Sequence, residues 1–261
     1  SAPELAGIVR ANNLTYENQT YGTRLSNMAL RGRFTGDRLE IEQLQANAGD
    51  GTVSASGYVS LAADRGYPMD VQVDLDEARL ARSSAIDATA TGNLSLTKSA
   101  GQTALLSGRI LLPETRYEII RQGAVEVPEL QGVRFKPPRG RPRVTGDEPA
   151  TPSGGAFDLL RLDIALVAPE KLYVSGMGLE SEWSADMRIR GTSAMPSISG
   201  GVELVRGTLG FAGKSFDLIE GNVQFTGGRE LDPRITLVAS EDIEGITVNV
   251  NVSGKALDPQ I

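Results

Sequence analysis

Apolar and polar residues alternate along most of the chain. Met69, Val71, Val73 and Leu75 are separated by Asp70, Gln72 and Asp74, and Ile246, Val248, Val250 and Val252 by Thr247, Asn249 and Asn251. The same period of two runs through Leu162, Ile164 and Leu166, through Trp183, Ala185, Met187 and Ile189, and through the pairs Phe216 with Leu218 and Val223 with Phe225. Successive side chains of a strand point to opposite faces, so the pattern predicts strands with one apolar and one polar face. A parallel doubly wound sheet buries both faces and is excluded. The exception is the stretch from Asp76 to Ile86, where Asp76 as a cap and Leu80 as the main apolar contact predict one or two helical turns.

Glycines punctuate the alternation. Gly49, Gly51, Gly57, Gly92, Gly108, Gly191, Gly207, Gly221 and Gly254 fall between the runs, which suits tight hairpins and a meander of strands that neighbour each other in space. A Pro-x-Ile signal recurs in Leu231-Asp232-Pro233-Arg234-Ile235 and Leu257-Asp258-Pro259-Gln260-Ile261, with a looser copy in Ala194-Met195-Pro196-Ser197-Ile198. Asp before Pro favours a turn, and Pro suits a first strand residue that needs no ladder donor, so the signal predicts strand starts. Residues 136–156 break the rhythm with a run of prolines and glycines, the composition of a flexible loop. The chain thus divides into a β-repeat segment (1–135), this loop (136–156) and a second β segment (157–261), read as one continuous sheet with an insertion. About 16 strands spaced ~4.8 Å apart would extend on the order of 75 Å. A sheet that wide curls, splits or closes, because strand twist accumulates.

Composition removes most chemistry. The 261 residues carry 26 Lys and Arg against 33 Asp and Glu, a net charge of −7, so the basic stripe a nucleic-acid binder needs is missing. The basic cluster from Arg134 to Arg143 sits in the Pro-rich stretch and reads as a solvated loop. There is no histidine and no cysteine, which removes a Ser-His-Asp triad, a thiolate nucleophile and a disulfide framework. Lys214 and Ser215 are adjacent on a strand, so they face opposite ways. Glu230 and Asp232 could form a carboxylate pair, but one Trp, six Tyr and six Phe are scattered too thinly for a sugar platform. No Gly-rich phosphate loop and no calcium-loop spacing occurs. The expectation is a protein that is not an enzyme, with no cofactor and no metal. No apolar run approaches the ~18 residues that span a bilayer. The chain opens on Ser-Ala-Pro without a start Met or signal pattern and is expected to be a piece of a longer protein.

What remains is the apolar face. Periodicity leaves two arrangements open: two such faces packed together as a sandwich core, or one face left as an uncovered groove.

The last third bears on that choice. Val202-Glu203-Leu204-Val205-Arg206-Gly207-Thr208-Leu209, then Phe216 to Gly228 (FDLIEGNVQFTGG), then Leu231-Asp232-Pro233 resemble the C-terminal domain of the TamB family. The shared order is a strand with an Arg-Gly turn, a Phe-x-Leu strand, a Gly-x-Val-x-Phe strand, a Gly-Gly turn and an Asp-Pro start. The match covers about Ser197 to Ile261. Arg38 to Leu61 and Thr91 to Ile119 are more loosely similar to the strand-turn repeats of AsmA-like proteins.

The resemblance implies an all-β fold: an elongated, curled, antiparallel sheet forming a taco-like groove with a hydrophobic interior. It implies a periplasmic segment of an inner-membrane-anchored protein in a Gram-negative envelope. The implied partner is an outer-membrane barrel of the Omp85 type, TamA, and the implied work is assembly of outer-membrane proteins, autotransporters included, or movement of phospholipid. On that basis the residues expected to line the groove are Val202, Leu204, Leu209, Phe211, Phe216, Leu218, Val223, Phe225, Ile235, Leu237, Ile246, Val248, Val250 and Val252. The cargo would be phospholipid or unfolded outer-membrane protein. A structural rod of a secreted adhesin or β-solenoid is the rival reading, and an envelope glycan hydrolase comes third. A membrane-embedded barrel would show aromatic girdles, and the aromatics here are unpatterned.

Overall fold

The computed structural model describes residues 5–19, 21–120, 160–211, 213–228, 231–243 and 245–260. The expected loop at 136–156, the basic cluster from Arg134 to Arg143, and Glu230 and Ile261 lie outside the described residues. The strands, in chain order, are β1 (Leu5–Asn18), β2 (Thr23–Gly36), β3 (Arg38–Ala48), β4 (Gly51–Ser60), β5 (Met69–Arg82), β6 (Ile86–Lys98), β7 (Leu105–Leu111) and β8 (Thr115–Glu118). They continue as β9 (Arg161–Gly176), β10 (Leu179–Thr192), β11 (Pro196–Phe211), β12 (Lys214–Thr226), β13 (Arg234–Ile243), β14 (Ile246–Lys255) and β15 (Asp258–Gln260). All 15 belong to one sheet, and nearly every strand pairs with the one before and the one after it. The only helical piece among the described residues is a 3-10 turn at Ala63–Arg65.

Two features depart from the sequence expectation. The stretch expected as helical turns from Asp76 lies mostly in strand β5, which runs unbroken to Arg82. Its pairing with β6 slips between Leu75 and Ala78 and again between Arg79 and Ala81, with Glu77 at φ 46°. Each bulge adds a residue and shifts the apolar side chains out of strict alternation, so Leu75, Ala78 and Ala81 mimic helical spacing while staying on one face. The second departure is a parallel pair inside the meander. β7 and β8 lie end to end along β6, and both pair in parallel with β9. Glu118 at the end of β8 and Arg161 at the start of β9 therefore lie at opposite ends of that pairing, which hairpin punctuation does not announce.

The sheet is curled. β2 and β5 are separated by β3 and β4, which in a flat sheet would hold them ~14 Å apart. Beyond the tip of the β3–β4 hairpin, however, the Arg82 N–H donates to the Tyr21 carbonyl at 2.9 Å, and the Thr23 hydroxyl donates to the Leu80 carbonyl. Glycine makes such close approach possible: a Cβ on Gly22 would stand 1.9 Å from the Arg82 carbonyl oxygen. The closure is toward the apolar side, where Leu25 of β2 packs against the cluster of Ala48, Val53, Leu75, Ala78 and Ala90.

Pro-x-Ile starts strands as expected. Pro196 is the first residue of β11, Pro233 directly precedes β13, and Pro259 lies in β15. Asp232 does more than favour a turn. Its carboxylate accepts from the Leu257 N–H at 3.1 Å and pairs with Lys255 at 3.3 Å, tying the start of β13 to the β14–β15 turn.

Candidate functional site

Strand register decides which side chains share a face, because directly opposed residues point the same way. Ala185 of β10 opposes Val202 of β11, Val202 opposes Val223 of β12, and Val223 opposes Ile235 of β13. Leu209 opposes Phe216, Leu218 opposes Ala239, and Ala239 opposes Val250 of β14. Leu237 opposes Val252, and Trp183 opposes Leu204. Phe225 lies two residues beyond Val223 on the same face. Phe211, Ile246 and Val248 extend that face toward the strand ends, where Lys214 opposes Phe211 and Glu241 opposes Val248.

Every residue expected as lining is thus placed on one face. Their burial differs. Phe216 and Leu218 are buried at 4% and 7% exposed, while Phe211 and Ile246 at the rim are 56% and 69% exposed; the others are half-buried.

The same face continues through the first half of the sheet. Val53 opposes Leu75, Val73 opposes Leu94, Leu94 opposes Gly108, and Gly108 opposes Ile164 of β9. These positions lie outside the expected lining, which the resemblance confines to the last third, although Val73 and Leu75 stand in an equally clear alternating run.

Burial along this face concentrates in small residues. Ala46, Ala48, Ala78, Ala90, Ala168, Ala185 and Ala239 are each at most 5% exposed, and no large side chain among the described residues falls below 2%. A concave surface brings side chains together, so the deepest positions hold methyl groups and the larger residues flank them. Trp183 is seated in the same way. It is 5% exposed, and its ring lies over Gly221, where an added Cβ would meet the ring at 2.7 Å. Its indole N–H donates to the Ser181 hydroxyl at 2.7 Å, which donates to the Val174 carbonyl at 3.0 Å. The one polar atom of the side chain is thereby satisfied within the sheet.

The opposite face is polar and charged. Asp70, Gln72 and Ser95 form a hydrogen-bonded chain on β5 and β6. Arg188 and Arg190 of β10 both reach Asp163 of β9, at 2.8 and 3.4 Å. The hydrogen bond from Arg188 holds the Asp163 carboxyl below its ordinary value; desolvation opposes it, and the charge of Arg188 and the contacts with Arg190 add to the lowering. Glu182 accepts from Arg206 at 2.6 Å and from the Lys171 N–H at 3.3 Å, which caps the bulge of β9 where Lys171 adopts φ 62°. Lys214 and Ser215 fall on opposite faces, since one opposes Phe211 and the other Gly210. Asp232 is engaged with Lys255 and the Leu257 amide, and no group of three or more possible metal ligands occurs among the described residues.

The arrangement is a wide amphipathic sheet that offers apolar side chains on one side. Its backbone groups are paired along the ladders, so that face presents carbon rather than hydrogen-bonding groups. No helix of the described residues is long and apolar enough to cross a membrane.

A search of curated proteins finds no match. The sequence profile of the TamB C-terminal domain matches residues 42–261. It therefore takes in the upstream strands from β3 onward as well as the last third. With all but the first 41 residues inside that match, the chain belongs to the TamB family.

Proposed function

We propose that this chain is a periplasmic part of an envelope-spanning protein whose apolar face carries the acyl chains of phospholipid between membranes, without enzymatic chemistry. Family membership carries a role in outer-membrane assembly, and an outer-membrane barrel such as TamA is the partner this reading requires. The observation that supports it is the unbroken apolar register from β4 to β14 within a single sheet.

Acyl chains and polypeptides make different demands on such a face. Each methylene shielded from water is worth ~0.8 kcal/mol and needs no particular geometry, so a chain can slide. An extended polypeptide laid on the same side chains would leave backbone groups unpaired, at about 1–3 kcal/mol for each. The lining therefore favours lipid over nascent protein. A second reading rests on the sheet edges: β14 pairs with β15 only from Ser253 to Lys255, so Ile246–Val252 have no ladder partner on that side among the described residues. A nascent outer-membrane strand could add there.

Mass spectrometry of the protein purified from envelopes tests the first reading. It predicts co-purified phospholipid that is lost in Val250→Arg while circular dichroism stays unchanged. A protein that comes away without lipid, or that retains it fully in Val250→Arg, overturns it.

A further inference from the structure

The β3–β4 hairpin ends short of the strands that flank it, and beyond its tip β2 and β5 close on each other. This leaves a notch of about 400 Å³ lined by Gly22, Arg24, Ser26, Gly49, Arg79 and Arg82. Arg24 and Ser26 oppose Glu17 and Asn47, and Arg79 and Arg82 oppose Thr89 and Asp87, so all four side chains belong to the polar side of the sheet. The notch is accordingly separate from the apolar face.

Its polar side chains are all hydrogen-bond donors in their ordinary states: three guanidiniums, which have no acceptor, and one hydroxyl. The lining holds no carboxylate. Arg24 and Arg79 have partners outside it, Glu17 at 3.1 Å and Asp87 at 3.3 Å. Arg82 has no ion-pair partner among the described residues, and its backbone is fixed by the bond from its N–H to Tyr21. Asp50 at the hairpin tip and Glu77 of β5 both lie outside the lining. The two glycines keep the space open and the walls close. Gly22 and Gly49 adopt φ of +67° and +68°, and a Cβ on Gly49 would stand 2.9 Å from the Arg79 Cβ.

We propose that this notch binds a phosphate ester or phosphate anion, held by Arg82 together with Arg24 and Arg79. Arg24 and Arg79 are each balanced by one carboxylate and Arg82 by none, so the notch keeps a net positive charge, and guanidinium forks match the paired oxygens of a phosphate. Two sources supply that chemistry, a lipid headgroup and a soluble phosphate. The proposal does not depend on what the apolar face carries, because no lining residue is shared.

Calorimetric titration of the whole chain with inorganic phosphate, and flotation with phosphatidylglycerol vesicles set against phosphatidylcholine vesicles, test it. Saturable binding to phosphate, or capture by phosphatidylglycerol vesicles that added phosphate competes away, supports it. Arg82→Gln should weaken that binding at least tenfold, while Arg188→Gln, on the same polar side but remote from the notch, should leave it unchanged. Competition by phosphate assigns the headgroup as ligand; phosphate binding without vesicle capture assigns a soluble phosphate. No saturable binding to either probe, or equal weakening by Arg82→Gln and Arg188→Gln, overturns the proposal. Lipid on the apolar face is read separately through Val250→Arg, so the two readings can fail independently.

Discussion

Trp183 and Gly221 offer a quantitative test of how the concave face is packed. Gly221 sits in β12 without a positive φ, so its backbone would accept alanine. The obstacle is space: the new methyl would lie 2.7 Å from the ring of Trp183 and 2.8 Å from the Leu204 Cβ. Carbon atoms rest at about 3.5–4.0 Å, so the ring must retreat by roughly 1 Å. It is held by the 2.7 Å bond from its indole N–H to Ser181, so retreat stretches that bond or displaces the neighbours. Overpacking of this kind costs about 1–3 kcal/mol. Replacing glycine returns about 0.4–1 kcal/mol through the unfolded chain, leaving a net loss of up to about 2.5 kcal/mol for Gly221→Ala. Gly210→Ala is the control, because its Cβ would meet nothing closer than 3.5 Å. Urea unfolding followed by fluorescence reads the site directly, since Trp183 is the only tryptophan. The Trp183→Phe background, followed by circular dichroism, should reduce the Gly221→Ala penalty, the contact with the Leu204 Cβ remaining. If Gly221→Ala is as stable as Gly210→Ala and leaves the emission unchanged, the seating of the ring over the glycine is wrong.

Two further outcomes follow from the polar contacts. Asp232→Ala removes the acceptor of the Leu257 amide and the partner of Lys255; with the Asp232 side chain only 8% exposed, the loss is expected at about 1–3 kcal/mol, read as faster hydrogen exchange at Leu257. Asp163 should titrate below 3.8 in the folded chain, and Arg188→Gln should bring it back up. Because the folded value is the depressed one, its contribution is present above the unfolded value and is lost as pH falls through the folded one; the Asp163 side chain keeps 39% of its surface in solvent, so the check is a carbon-detected NMR titration rather than a melt.

Much of the architecture was legible because alternation is a direct record of which way each side chain points. The runs at 69–75, 183–189 and 246–252 are all strands with their apolar members on a shared face. Alternation failed at Glu77 and Leu80, where bulges insert residues that the strand pattern does not announce and a short helix was expected. It was equally silent on the parallel pairing of β7 and β8 with β9, because register between distant strands is set by packing and the intervening chain carries no strand pattern. The alanine row and the seat of Trp183 were unreadable for another reason. Alanine is small enough for either face, and only the curl of the sheet turns its positions into the deepest ones. The Arg82 notch combines residues of three hairpins that meet only because β2 and β5 close past a short one.

The most direct test of the central claim, that one face of β14 meets acyl chains and the other meets water, is photo-crosslinking residue by residue in living cells. A crosslinking amino acid placed at Val248, Val250 and Val252 should form phospholipid adducts, and at Thr247, Asn249 and Asn251 should not. Adducts at both sets alike, or at neither, would contradict the account.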